Sequence, residues 1–174
     1  MRRAFGSVIV LLLVFLFGHA VLQACGDKFF LVGRGDRFSR AYASLRPGNV
    51  LIYASGATEI SRGLRDPRLK KIIDRAGHHV TVATDSAELR KALESGPVDV
   101  VVTDLGQAVD LVPQMASAPS KPTLLPIEGE RADAARPAPA GQFAIRLKSS
   151  DRVNRFLAGI EDVMKTRTSN RPRG

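Results

Sequence analysis

One apolar stretch decides the fold: GPVDVVVTDL, which occupies residues 96–105. Its centre, Val98 to Thr103, is nearly all valine, and β-branched residues favour strands. A strand that is apolar at every position is typical of the middle of a parallel sheet, where helices cover both faces. Asp104 follows at the carboxyl end of this run. The sequence therefore predicts a central buried strand that ends at a carboxylate.

Strand-like and helix-like segments alternate on both sides of this central strand. The predicted strands are residues 50–54, 80–83, 98–103, 123–127 and 143–147. Helices are predicted at 66–76, at 85–93, at 105–115 and from 153 to 164, after typical starts such as Asp66-Pro67. This alternation favours right-handed crossovers. We expect a five-stranded parallel sheet with helices on both faces, a three-layer α/β sandwich of the flavodoxin-like kind.

Two motifs resemble those of response-regulator receiver domains, and the resemblance covers residues 49–165. In that family the third strand ends in the aspartate that accepts a phosphoryl group, and Asp104 falls on that position. The stretch FAIRLK at 143–148 resembles the family's fifth strand, so that Lys148 matches the lysine that contacts the phosphoryl group. Ser149 stands where the family has a proline. The resemblance implies a receiver-like fold with a crevice at the carboxyl ends of the strands.

The end of the first predicted strand departs from the receiver pattern. Receivers hold Mg²⁺ there with a pair of acidic residues, because a hard cation prefers carboxylate oxygens. Ala54 and Ser55 occupy these positions and supply no carboxylate. The hydroxyl residue expected after the fourth strand is replaced by Pro126 or Ile127. We therefore expect a pseudo-receiver with no metal and no cofactor, in which Asp104 is an inactive equivalent of the phosphoacceptor.

Asp104 and Lys148 allow two interpretations. Both are expected at the carboxyl ends of neighbouring strands, where open α/β sheets bind ligands. Together with Ser55 they would hold a small anion or a partner loop, or else they form a salt bridge that belongs to the fold alone. No catalytic constellation emerges, so we expect a non-enzymatic interaction module. The alternatives are a phosphorelay receiver, or an envelope enzyme or small-ligand binder that uses this crevice.

An export signal precedes the predicted domain. A positive start at residues 1–3 leads into the apolar run 8–17, and the sequence LQAC at 22–25 resembles the lipobox of bacterial lipoproteins. The resemblance implies that residues 1–24 are a signal peptide and that Cys25 carries a lipid. The chain would then be a membrane-anchored lipoprotein of the cell envelope that faces the periplasm or the outside. An uncleaved single-pass anchor and plain secretion remain alternatives.

Basic residues outnumber acidic ones, with 26 Lys and Arg against 17 Asp and Glu and a formal net charge of +9. Residues 25–48 are expected to be a tether with a short strand at 29–32, and 166–174 a basic disordered tail. The basic cluster within 62–75 is either a solvated helix face or a surface for an anionic partner. Lipid headgroups, cell-wall polymers or a protein partner fit this charge. Nucleic acid does not fit an exported chain that has no tryptophan and lacks the aromatic platform that single strands need.

Overall fold

The computed structural model of this chain describes residues 43–129 and 141–169. Its strands are β1 (Asn49–Tyr53), β2 (His79–Ala83), β3 (Val100–Asp104), β4 (Thr123–Glu128) and β5 (Leu147–Lys148). Its helices are α1 (Glu59–Leu64), α2 (Pro67–Arg75), α3 (Ser86–Ser95), α4 (Leu105–Ser117) and α5 (Val153–Ser169). The signal peptide, Cys25 and the short strand predicted at 29–32 lie outside the described residues. Within the described ranges, no helix has the length and apolar character needed to cross a bilayer.

The strands form one parallel sheet in the order β2-β1-β3-β4-β5. The valine-rich strand β3 lies at its centre between β1 and β4, and Val100, Val101 and Val102 are fully buried. A central strand needs apolar side chains on both faces, which is why the run lacks the alternation of a half-exposed strand. The predicted five-stranded parallel sheet with helices on both faces is confirmed.

Two hydrophobic cores separate the sheet from its two helical layers. Alternate residues of a strand point to opposite faces, so Val50 and Ile52 of β1 face one core while Leu51 faces the other. Helices α1, α2 and α5 cover the first core, in which Phe156 is fully buried. Helices α3 and α4 cover the second core, to which Leu89 belongs. The sandwich thus has three layers.

The segment after β1 contains two short helices instead of one. The hydroxyl of Thr58 caps α1 by accepting from the N–H of Ser61 at 3.0 Å. Asp66 then caps α2 by accepting from the N–H of Arg68 at 2.8 Å, and Pro67 follows as the first helical residue. A side-chain acceptor at each start satisfies an N–H group that has no partner inside its helix. The prediction of Asp66-Pro67 as a helix start is confirmed, whereas α1 was not predicted.

The predicted strand at 143–147 is wrong except at its last residue. The structure has only the two-residue strand β5, which pairs Leu147 with Ile127 of β4. Before it, the guanidinium of Arg146 lies over the ring of Phe143 at 5.8 Å. In an extended strand, residues three apart point to opposite faces and lie about 10 Å apart. This contact therefore requires a bent backbone, which a strand at these positions does not allow.

The domain begins earlier than the predicted boundary at residue 49. The N–H of Ser44 donates to the carbonyl of Ala76 at 2.7 Å, and the carbonyl of Gly48 accepts from the N–H of His79 at 2.9 Å. Gly48 is also buried, and a Cβ placed on it would lie 2.3 Å from Cε of Met164 in α5. The residues just before β1 therefore belong to the packed domain and not to the predicted tether at 25–48.

The domain also ends later than the predicted boundary at residue 165. Helix α5 continues to Ser169, so the disordered tail predicted for 166–174 is wrong at its first residues. The guanidinium of Arg167 donates to the carbonyls of Lys121 at 2.6 Å and Ser120 at 3.0 Å. Its Nε also lies 3.5 Å from a carboxylate oxygen of Asp99. These contacts tie the last turn of α5 to the loop before β4 and to the segment before β3.

Candidate functional site

The candidate crevice lies at the carboxyl edge of the sheet, where the sequence placed Ser55, Asp104 and Lys148. Ser55 follows β1, Asp104 ends β3 and Lys148 ends β5. The sequence predicted that the strands of Asp104 and Lys148 are neighbours, and this is wrong because β4 lies between β3 and β5. Strands two positions apart are separated by about 10 Å. The sheet order therefore separates Asp104 from Lys148.

Lys148 is not paired with Asp104. Its side chain is exposed, and among the described residues no ion pair joins it to the carboxylate of Asp104. Its backbone N–H instead donates to a carboxylate oxygen of Asp151 at 2.8 Å, which closes the turn before α5. The salt bridge, one of the two interpretations of this pair, is therefore wrong.

Both carboxylate oxygens of Asp104 have partners. Oδ1 accepts from the backbone N–H of Gly106 at 2.9 Å, so that Asp104 is the N-cap of α4. Oδ2 accepts from the hydroxyl of Thr58 at 3.2 Å. A cap of this kind typically stabilises a helix by about 1 kcal/mol. Asp104 thus has a structural role that joins the start of α4 to the loop before α1.

A neutral hydrogen-bond network occupies the end of β1, where receivers carry acidic residues. Nε2 of Gln107 donates to the carbonyl of Ser55 at 2.7 Å and lies 2.9 Å from its hydroxyl. Oε1 of Gln107 accepts from the hydroxyl of Thr103 at 2.9 Å. The hydroxyl of Ser61 donates to the same carbonyl of Ser55 at 2.7 Å. Ser61 and Thr103 are fully buried, so these hydroxyls depend on the network for their partners.

Sequence reasoning missed Gln107 and Ser61, and it considered Thr58 only as part of a turn after the first strand, either a generic one or one that binds an anion. Thr58 and Ser61 stand three residues apart, which is the spacing of a helix cap and the N–H it accepts from. Gln107 stands four residues after Thr103, so that one turn of helix brings it back to the end of β3. No local signal points from Gln107 to Ser55, which lies 52 residues earlier.

The crevice offers little for catalysis or metal binding. Asp104 lies beside this network, and its oxygens accept from the backbone N–H of Gly106 and the hydroxyl of Thr58. In residues 43–129 and 141–169 no three side chains of the metal-ligating types come together. A hard cation takes several oxygen ligands, with carboxylates foremost. The arrangement is suited to holding two loops together.

A second polar cluster lies at the opposite, amino edge of the sheet. His78 is 3% exposed, and its Nε2 lies 3.9 Å from a carboxylate oxygen of Glu161 in α5. The hydroxyl of Ser44 donates to the same oxygen. Burial lowers the pKa of His78 below its ordinary value of 6.5, while the charge of Glu161 opposes the shift. This cluster fastens the segment before β1 to α5.

Solved structures of receiver proteins resemble this fold. The signal receiver domain of an HD domain-containing protein from Pseudomonas fluorescens Pf-5 is 18% identical, with a TM-score of 0.56 over 74% of this chain and 94% of that one. The fold is receiver-like. Full-length FixJ from B. japonicum is 20% identical, with a TM-score of 0.52 over 68% of this chain. The receiver-like domain spans 58% of that FixJ chain.

Sequence comparison adds no closer relationship. No protein-family model matches the receiver-like chain, and no curated protein matches it. At 18% and 20% identity the likeness establishes the fold alone. What the domain does must therefore be argued from the residues of its own crevice and surface.

Proposed function

We propose that this chain is a membrane-tethered, non-catalytic receiver-like module that binds a partner in the bacterial cell envelope. The observation that carries the proposal is the neutral network of Ser55, Gln107 and Thr103 at the end of β1. Phosphoryl transfer depends on a cation that neutralises the developing charge. This network provides no acidic pair to hold one, so the crevice supports the fold and leaves binding to the outer surfaces.

The role of Asp104 supports the same proposal. Its two oxygens accept from Gly106 and Thr58. A phosphoryl group on either oxygen would therefore break the hydrogen bond that caps α4 or the one that links Asp104 to the loop before α1. The side chain of the lysine equivalent, Lys148, is exposed, and within the described residues it forms no ion pair with Asp104. Asp104 therefore acts as a helix cap, and Lys148 is not held against it.

The sequence before the domain supports the tether and the envelope location. The lipobox-like residues 22–25 place a cysteine 18 residues before Ala43, the first residue that the structure describes. An extended chain of that length reaches about 60 Å. This leaves the folded domain free to approach a partner on or near the membrane.

Two experiments test the two halves of this proposal. Incubation with Mg²⁺ and a small phosphodonor, followed by intact-mass measurement, should leave the mass unchanged; an acid-labile adduct on Asp104 would return the chain to the phosphorelay class. Replacement of Cys25 with serine should abolish lipid attachment and change detergent partitioning. If the parent chain and the Cys25→Ser variant showed identical processing and partitioning, Cys25 would carry no lipid and the tether would be refuted.

A further inference from the structure

The two helical layers of the domain differ in charge. The layer of α1, α2 and α5 contains nine Lys or Arg and five Asp or Glu, of which six basic and three acidic residues lie in residues 59–75. On the opposite face of the sheet, α3 and α4 contain two Lys or Arg and three Asp or Glu. The domain therefore presents a basic layer on one side and a slightly acidic layer on the other.

The basic charge of α2 is concentrated in one stripe. Arg68, Lys71 and Arg75 follow at positions i, i+3 and i+7, a spacing that places them along one side of a helix. All three are exposed, and their side chains have no hydrogen-bond or ion-pair partner among the described residues. Lys70 and Asp74 lie on another side of α2, where they pair at 2.6 Å. The stripe is thus uncompensated positive charge held by a rigid, packed helix.

The point where the tether joins the domain lies at the end of this stripe. The N–H of Ser44 donates to the carbonyl of Ala76, the residue that follows Arg75. Helix α2 has nine residues and a length of about 14 Å. The 17 residues between Cys25 and Ala43 reach several times that distance. A chain anchored at Cys25 therefore enters the domain beside the basic end of α2, and the tether is long enough for the whole stripe to reach the headgroups.

We propose that the stripe of Arg68, Lys71 and Arg75 lies against the anionic lipid surface to which the chain is tethered, an inference that rests on the tether proposed above. Anionic lipids attract exposed Lys and Arg within about one Debye length of the surface, about 8 Å at physiological salt. Each cation at such a surface favours binding about fivefold, and three together on the order of 100-fold. The domain is then oriented with α2 on the membrane and with α3 and α4 facing the aqueous side.

Orientation can be measured on the full lipidated chain in lipid nanodiscs. The discs contain phosphatidylcholine alone or with phosphatidylglycerol, and a trace of lipid with a paramagnetic headgroup. We expect stronger amide relaxation enhancement in α2 than in α3, in the phosphatidylglycerol discs only. The contrast should be lost at high salt, which shortens the Debye length to about 3 Å at 1 M.

Variants on the two layers provide the matched comparison. The triple variant Arg68→Gln, Lys71→Gln, Arg75→Gln should lose the contrast between α2 and α3. The control Arg90→Gln, Lys91→Gln removes two exposed cations of α3 and should keep it. Equal enhancement of α2 and α3 in the parent chain, or a contrast that survives the triple variant, overturns the proposal. An unchanged melting temperature shows that the variants remain folded.

The experiment distinguishes a wrong proposal for the lipid tether from a wrong proposal for the basic stripe. A chain without the lipid does not float with discs of phosphatidylcholine, whatever its surface charge. If such a chain still binds phosphatidylglycerol discs with enhancement confined to α2, the stripe is supported and the tether is wrong. If it binds neither kind of disc, both are wrong. If the chain floats with both kinds and shows no contrast, the tether stands and the stripe is wrong.

Discussion

Replacement of Gln107 with alanine should destabilise the domain by about 2–4 kcal/mol. The hydroxyl of Thr103, which is fully buried, would lose its acceptor, at a cost of about 1–3 kcal/mol. The carbonyl of Ser55 would lose one of its two donors, which adds about 1 kcal/mol. Alanine is the better helix former, and that advantage of a few tenths of a kcal/mol does not offset these losses.

Urea unfolding at equilibrium with linear extrapolation measures this loss. Gln114→Ala is the matched control, because it makes the same change in the same helix at a side chain that has no hydrogen bond among the described residues. We expect the control to change the free energy of unfolding by no more than about 0.5 kcal/mol. Gln107→Glu should also destabilise, because it sets a carboxylate oxygen against the carbonyl of Ser55. Equal stability of Gln107→Ala and Gln114→Ala would refute the network as the support of this crevice.

Three further outcomes follow from single side chains. Phe156→Ala should lower the free energy of unfolding by about 3–5 kcal/mol, since Phe156 is 0% exposed, and Asn154→Ala in the same helix serves as the exposed control for urea unfolding. Asp104→Ala should cost about 1 kcal/mol in the same assay while Asp104→Asn stays close to the parent, because asparagine also caps helices. Burial lowers the pKa of His78, so the unfolded chain binds more protons below pH 6.5 and stability should fall as the pH drops through that range. Unfolding measured from pH 5 to pH 7 should show a smaller slope for His78→Gln, and an equal slope would contradict this account.

The sheet was predictable because its signals are local. The run at 98–103 contains four valines, three of them consecutive, and such a run is typical of a central strand of a parallel sheet. The start of α2 was predictable because Asp66 and Pro67 act within one turn of helix. A helix or strand whose stabilising interactions lie within a few residues of each other can be identified from the sequence alone.

The site was less predictable because its contacts are distant in sequence. The absence of an acidic pair at Ala54 and Ser55 could be read directly from the residues. Gln107 fills that position from 52 residues away, and nothing near it in the chain indicates a bond to Ser55. The distance between Asp104 and Lys148 depends on sheet order, which interposes β4.

Segment ends were wrong where side-chain contacts override local propensity. The apolar residues before β5 have strand-like composition, but only Leu147 and Lys148 pair with β4, and Arg146 contacts the ring of Phe143 instead of extending the strand. Polar composition predicted disorder from residue 166 onward, whereas three contacts of Arg167 extend α5. In both cases an arginine side chain contacts a partner that composition does not reveal.

The most direct measurement of the central claim is a titration of the full chain with Mg²⁺, followed by the amide NMR signals of Gly106 and Gln107. These amides lie at the start of α4, beside the carboxylate that a receiver would phosphorylate. The neutral network predicts no saturable shift at either amide, because the described residues form no metal-ligating cluster there and the oxygens of Asp104 already accept from Gly106 and Thr58. A saturable shift centred on Asp104 would contradict the account and show that the crevice holds a cation as a working receiver does.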